Sequence, residues 1–325
     1  MKHNLTQKQQ NKVLVIRLSA LGDFIFCFRA FQSIRKHYKD DRIALLVRKP
    51  FASFAKAMPW FDEIIVETKP GFRDIKEWLK LRKDILKFGN NDKITVYDFH
   101  CKKRQTVLYF LLGAWFKTRW FGETLFCASN RAEKWKTAKN WQEAMKGQLE
   151  QTGVEWDTGD INLDWLNADI EKFNLPNNIA VLIPGSSVGT EYKQWGADKF
   201  AELALHLIEQ SKTVSLVGTA GEAEICADIC AKVNAKDKLI NLCGQTSLFE
   251  LAGVLRKAAL VIGGDTGPMH IASVLERNTI ALYSLVKSTE WNKPVGTKTK
   301  IIQNNCIKDI TVREIVTSVQ FPVAS

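Results

Sequence analysis

The sequence predicts an α/β protein built from two doubly wound, Rossmann-like parallel-sheet domains, and three observations carry that expectation. The chain has 325 residues, room for two domains at about 150 residues each. Short β-branched apolar runs alternate with segments of helical apolar spacing, the rhythm of a parallel sheet covered on both faces. That rhythm is interrupted once, over residues 152–178, where Asp, Asn, Gly and Pro176 cluster as they do in a linker, and then it restarts. The expected division is residues 1–165 and 166–325.

The elements follow in order. Residues 12–18 (KVLVIRL) are too short for a helix and rich in β-branched side chains, so they read as a buried parallel strand. A tight loop over 19–23 leads into a helix over 24–38. Strands are expected at 42–47 (RIALLV), 63–67 and 93–98 (KITVYD), with helical segments between them. In the second half, strands fall at 179–183 (IAVLI), 213–217, 239–242, 260–263 and 279–283, the last closing the sheet. Helices fall at 198–210, 220–233, 248–256 and 268–275. No internal repeat or low-complexity tract is present.

With 46% hydrophobic and 25% charged residues, the chain is neither disordered nor collagen-like. The seven cysteines, at 27, 101, 127, 226, 230, 243 and 306, contain no C-x-x-C pair. Reduced, buried thiols of a cytosolic protein are therefore expected, not a disulfide framework or a zinc knuckle. The net charge of +11 is one-sided: residues 1–165 hold 30 basic against 19 acidic side chains, and residues 166–325 hold 16 of each. A half so charged either meets something anionic, such as a phosphorylated acceptor, a membrane surface or nucleic acid, or is basic for solubility. No nucleic-acid-binding module is visible. Residues 1–11 lack a signal-peptide pattern, and the longest apolar stretch, 107–116, is about half of the roughly 20 residues a spanning helix needs.

Four motifs carry possible chemistry. Gly263-Gly264-Asp265-Thr266-Gly267-Pro268-Met269-His270 lies between an apolar strand and a helix. Thr266 can cap that helix, Pro268 suits its first turn, and the free N–H groups with the helix dipole form an anion site. The same residues also suit a capped βα turn without a ligand. Residues 184–190 (PGSSVGT), ending in Lys193-Gln194-Trp195, suit phosphate or sugar hydroxyls. Glu222, after Leu216-Val217-Gly218-Thr219, either holds ribose hydroxyls or is a solvated helix residue. Asp23, at the carboxyl end of the first strand, is either a general base or the cap of the following helix. The five histidines show no metal-ligand spacing, no D-x-D pair is placed to hold a divalent ion, and no G-x-S-x-G elbow occurs. Cys101-Lys102-Lys103-Arg104, running into 107–116 and then Lys117, Arg119, Trp120 and Phe121, reads either as an interfacial anchor or as a buried helix with a basic end.

Together these motifs resemble glycosyltransferase family 9, the ADP-heptose:lipopolysaccharide heptosyltransferases. The resemblance rests on V-I-R-L-S-A-L-G-D (15–23), I-P-G-S-S with K-Q-W (183–195), L-V-G-T-x-x-E (216–222), N-L-C-G-Q-T-S-L-x-E-L-A (241–252) and G-G-D-T-G-P-M-H (263–270). These stand in the family's order from residue 12 to about 285. After Ala281-Leu282-Tyr283 the family usually continues F-G-P-T-x-P, where this chain has Ser284-Leu285-Val286-Lys287, and residues 99–160 match no pattern. The resemblance implies a GT-B architecture, two domains facing across a cleft, and an inverting, metal-independent transfer with no cofactor. It implies Asp23 as the base, with Ser186, Ser187 and Lys193 at the donor phosphates. It also implies the turn Thr266, Gly267, Pro268, Met269, His270 at the diphosphate, Asp265 at the donor sugar and Glu222 at the ribose. The expectation is a cytoplasmic enzyme moving heptose from ADP-heptose to an anionic lipopolysaccharide-core acceptor, without nucleic acid as a partner. Lys102, Lys103 and Arg104 are expected on a face toward the acceptor or the inner membrane. The alternatives are another nucleotide sugar on the same fold, or a membrane-associated nucleotide-sugar-binding protein without turnover.

Overall fold

The computed structural model describes residues 11–71, 73–90, 93–100, 107, 108, 111, 118–122, 129, 130, 137–186, 189–235, 237–286 and 290–319. The chain forms two compact units, Met1–Trp165 and Leu166–Ser325. Lys102, Lys103, Arg104 and Ser187 lie outside the described residues.

In the first unit the elements run β1 (Lys12–Ile16), α1 (Leu21–His37), β2 (Arg42–Arg48), α2 (Ala52–Ala57), β3 (Glu63–Glu67), α3 (Ile75–Gly89), β4 (Ile94–Asp98), β5 (Thr118–Gly122), β6 (Ser129–Asn130) and α4 (Trp141–Glu150). The sheet is parallel throughout, in the order β3-β2-β1-β4-β5-β6. β1 is central, with Ile16 beside Leu46 on one flank and Asp98 on the other. Helices cover both of its faces, so Val13, Leu14, Val15 and Ile16 are all fully buried and the run shows no alternation. α1 starts at Leu21, earlier than its apolar spacing suggests, because the Asp23 carboxylate reaches back to accept the Ala20 N–H at 3.0 Å. Its buried face carries Phe24, Phe28 and Phe31, and the Phe28 ring lies 5.3 Å from Trp60 and 5.6 Å from Trp165. α3 buries Trp78, Leu81, Ile85 and Phe88 in the cluster that also holds Leu14, Ile16 and Val96.

The second unit repeats the plan: β7 (Ile179–Ile183), α5 (Ala197–Glu209), β8 (Val214–Leu216), α6 (Ala223–Val233), β9 (Leu239–Asn241), α7 (Leu248–Lys257), β10 (Ala258–Gly264), α8 (Gly267–Val274), β11 (Thr279–Ser284), β12 (Thr299–Asn304) and α9 (Val312–Ser318). Its parallel sheet runs β12-β11-β10-β7-β8-β9. Counted within each unit, both sheets have the Rossmann order 3-2-1-4-5-6.

Three sequence expectations are corrected. β11 does not close the sheet, because β12 pairs along its whole length, from Thr299 beside Thr279 to Asn304 beside Ser284. Residues 152–178 run across the boundary between the units and are tied down on each side of it. Arg29 donates to the Asp157 and Gly159 carbonyls at 2.8 and 2.7 Å, Trp165 joins the first aromatic cluster, and Leu166 and Leu175 are buried in the second unit. Trp120 and Phe121 are not rings awaiting a headgroup zone. They lie in β5 with 1% and 3% exposure, because β5 is an interior strand whose flanks are taken by β4 and β6. Finally, Cys226 and Cys243 form a disulfide, where reduced thiols were expected. The fold brings the first turn of α6 onto the loop after β9, a proximity that linear spacing does not reveal. Cys230 and Cys306 are free thiols. Among the described residues no helix is long and apolar enough to cross a membrane.

Candidate active site

In a sheet of this order, ligands bind at the carboxyl ends of the first and fourth strands, where the winding direction reverses. In the second unit that point lies between β7 and β10, and it gathers most of the residues the sequence singled out. Asp265 follows β10 directly and is 8% exposed. Lys193 Nζ donates to its Oδ2 at 2.6 Å, while His270 Nε2 and the Tyr283 hydroxyl lie 3.3 Å from Oδ1. Burial opposes the charge on Asp265, but the hydrogen bonds and charges of His270 and Lys193 outweigh it and hold the carboxyl below its ordinary range. A carboxylate depressed in this way adds stability that is full above its unfolded value, near 3.9, and is lost as pH falls through its folded value. Asp265→Asn is therefore expected to flatten the fall of melting temperature between about pH 5 and pH 3. Identical acid slopes for variant and parent would refute this account.

The approach of Lys193 depends on a glycine. A Cβ at Gly264 would stand 2.6 Å from the Lys193 carbonyl oxygen. Two residues on, Trp195 anchors the same segment, with 2% exposure and its indole N–H donating to the Ile310 carbonyl at 2.8 Å. Lys193 thus hangs from a core ring and lies against β10. An ammonium carries three donors, and with Oδ2 and the Asp265 carbonyl (3.4 Å) taking two, one is left for a ligand oxygen.

Thr266 is the N-cap of α8, yet its side chain makes no capping bond, contrary to the sequence expectation. Its Oγ1 is buried without a hydrogen-bond partner among the described residues. Pro268 has no N–H, and the His270 N–H already bonds the Thr266 carbonyl at 3.2 Å. The donors this helix start can offer a ligand are therefore the N–H groups of Gly267 and Met269 and the Thr266 hydroxyl. The Met269 side chain is fully buried, so that residue offers a ligand its backbone only. Ser186, at the end of β7, is 7% exposed and donates to the Thr190 carbonyl at 3.0 Å. Glu222 is a half-exposed residue of the one-turn helix 220–222 and closes its capping box: its Oε2 accepts the Thr219 N–H at 2.5 Å, and its carboxylate fills the space a Gly185 side chain would need. The Ser and Glu of the T-S-L-x-E segment build a helix start. Ser247 Oγ accepts the Glu250 N–H at 3.3 Å, and Glu250, whose carboxyl is held down to about 2 chiefly by Lys172, accepts the Ser247 N–H at 2.7 Å.

The corresponding edge of the first unit lies between β1 and β4. Arg17, 3% exposed, ion-pairs with Asp23 Oδ2, donates to the Phe99 carbonyl at 2.5 Å and lies 5.7 Å from the centre of the Trp141 ring. Asp23 thus acts as cap and ion-pair partner through one oxygen. Asp98, fully buried, accepts the His100 N–H at 2.9 Å beside this pair. Sequence reading singled out neither Arg17 nor Asp98 and His100 as site residues. The signal was available, because KITVYD ends in a carboxylate at the carboxyl end of a strand, as KVLVIRL leads to Asp23.

Two Rossmann-order units in one chain make the GT-B class of fold, with charged groups gathered at the switch point of each. Solved structures of that class share the fold: a glycosyl transferase family 9 protein from Veillonella parvula (TM-score 0.80, 18% identity, covering 94% of this chain and 95% of that one) and the Escherichia coli heptosyltransferase WaaC with ADP (TM-score 0.73, 16% identity, 94% and 98%). Lipooligosaccharide heptosyltransferase 2 of Campylobacter jejuni is 24% identical over 295 residues, 90% of this chain and 86% of the relative. The family model for glycosyltransferase family 9 (heptosyltransferase) matches residues 126–318, and the chain belongs to that family.

Proposed function

We propose that this glycosyltransferase moves a heptose from ADP-heptose to a lipopolysaccharide-core acceptor, with inversion and without a metal. The observation that carries the reading is the second-unit switch point, where Lys193 is held on Asp265, next in sequence to the unpartnered Thr266 hydroxyl and the open N–H groups at the start of α8, a set suited to a diphosphate. The names of the relatives supply the donor and the acceptor: an E. coli structure is of WaaC with ADP-2-deoxy-2-fluoro heptose, and lipopolysaccharide heptosyltransferase 2 of E. coli is 31% identical over 122 residues, 37% of this chain and 34% of its own.

The chemistry assigned to each residue follows from charge. Asp23 Oδ1, the oxygen left over from Arg17 and Ala20, takes the proton of the acceptor hydroxyl. The acceptor oxygen forms its bond to the anomeric carbon as the bond to the β-phosphate breaks, and ADP leaves with that electron pair. Lys193 and the start of α8 are fixed positive charge and dipole for the phosphate that develops, with no reorganisation at the moment of reaction. Asp265 orients Lys193 and His270 beside the donor sugar, while Ser186, Ser187 and Glu222 complete the donor side toward phosphate and ribose. No cofactor takes part. The enzyme works at the cytoplasmic face of the inner membrane. That compartment keeps accessible thiols reduced, and burial shields the Cys226–Cys243 pair from reductant, with 0% and 9% exposure.

A second reading, another nucleotide sugar, is favoured by Ser284-Leu285-Val286, where this chain departs from the family and Leu285 and Val286 stand 51% and 73% exposed. Side-by-side assays with ADP-heptose, ADP-glucose, UDP-glucose and GDP-mannose separate the two. Turnover is expected with ADP-heptose alone and undiminished in EDTA. Preference for another donor, or activity that needs added magnesium, would overturn the corresponding half of the proposal.

A further inference from the structure

The largest aliphatic exposures among the described residues of the first unit are Ile75 and Leu79, at 67% and 52%. Both lie on α3, one turn apart. At about 100° per residue, Ile75, Leu79, Lys83, Lys76, Lys87 and Lys80 follow one another around about 140° of the helix surface. The opposite side carries Trp78, Leu81, Ile85 and Phe88 into the core. The helix therefore has a buried face, a bare aliphatic strip and a row of cations beside it. None of those four lysines has an ion pair or hydrogen bond among the described residues. Of the acidic residues on α3, Glu77 is taken by the Thr68 hydroxyl at 2.9 Å, and Asp84 lies beyond the lysine row.

Two aliphatic side chains are far too small a patch for a stable protein interface, which needs about 800 Å² per partner. They suit a fluid surface that takes apolar groups at its acyl boundary and cations at its phosphates, along which lysine stems can lie. The surplus of 11 basic side chains in residues 1–165 has the matching sign. We propose that α3 is the surface by which the first unit docks on a membrane of anionic phospholipids, with Ile75 and Leu79 at the acyl boundary and Lys76, Lys80, Lys83 and Lys87 on headgroup phosphates. The inference rests on the membrane-linked acceptor proposed above for its biological sense, and on the helix alone for its geometry.

The test is sedimentation of the full chain with vesicles of phosphatidylcholine, alone or mixed with phosphatidylglycerol. Wild type should bind the mixed vesicles and release as salt rises, because screening acts within about 8 Å at physiological ionic strength. A variant with Lys76, Lys80, Lys83 and Lys87 all replaced by Gln should partition about 10²–10³-fold less, the summed effect of four cations near an anionic surface. An Ile75→Ser, Leu79→Ser variant should bind at low salt and be released at a lower salt concentration than wild type. All these positions are exposed, so both variants should melt as wild type does. Equal binding to both vesicle types, no binding at low salt, or a lysine variant that binds like wild type would overturn the proposal. So would self-association that the serine variant abolishes, which would put a second copy on this face. Turnover on a water-soluble acceptor should be unchanged in both variants. A failure of the catalytic reading shows in that assay, and a failure of docking shows in the vesicles.

Discussion

Asp23→Ala is expected to lower turnover about 10²–10⁴-fold, the usual contribution of a positioned base, while ADP affinity stays at the wild-type value. The two quantities separate because ADP is assigned to the second unit and Asp23 stands in the first. Alanine also strands the Arg17 guanidinium, which is 3% exposed and pairs with Asp23, so the melting temperature should fall as well. Asp23→Asn removes that ambiguity. Its amide oxygen can still accept from Arg17 and from the Ala20 N–H, so the fold and the helix start are kept while the base is lost. The asparagine variant keeps those hydrogen bonds but not the counter-charge to Arg17, so it should melt above the alanine variant and be as inactive. Near-wild-type turnover in the asparagine variant would remove Asp23 from the mechanism.

Lys193→Ala should weaken ADP binding by roughly 1.5–3 kcal/mol, the range for a hydrogen bond to a charged group, and titration calorimetry reads this directly. Here too a stability effect is superimposed. Without Lys193, the partners left to the buried Asp265 carboxylate among the described residues are His270 and the Tyr283 hydroxyl, whose proton is shared with the Asn292 carbonyl at 2.7 Å. Combining Lys193→Ala with Asp265→Asn removes the stranded charge, so the double variant should regain melting temperature but not ADP affinity. Full ADP affinity in the single variant would show that Lys193 serves only to neutralise Asp265.

The fold class was legible because β1, β2, β7 and β10 lie in the middle of two-sided sheets, where the inner positions are all apolar and the run stands out. β5 and β12 were not legible, for different reasons. Thr299–Asn304 is an edge strand, half-exposed along its length, and its Lys, Gln and Asn residues carry no apolar signature. Thr118–Gly122 is buried, but its Arg, Trp and Phe sit in a basic, aromatic stretch whose composition equally suits a surface anchor; only pairing between β4 and β6 decides. For the site, sequence placed Asp23, Lys193, Asp265 and Thr266 at strand ends, since a strand-to-helix turn is a local pattern. Their partners were not legible. That Arg17 reaches the Phe99 carbonyl, or that Tyr283 reaches Asp265, depends on which strands are neighbours, and strand order is a property of the whole sheet. The Cys226–Cys243 bond escaped for the same reason.

The strand order also governs what the nascent chain exposes while it is being made. β1 pairs with β2 on one flank, but its other neighbour, β4, begins only at Ile94, after β3 and α3 have emerged. At about 5–20 residues per second of synthesis, the most apolar strand of the first unit keeps one bare hydrogen-bonding edge for a time on the order of seconds. β7 repeats the wait for β10 in the second unit. The topology that sets the loops after β1 and β4 side by side therefore also sets the interval in which the growing chain is most open to edge-to-edge association.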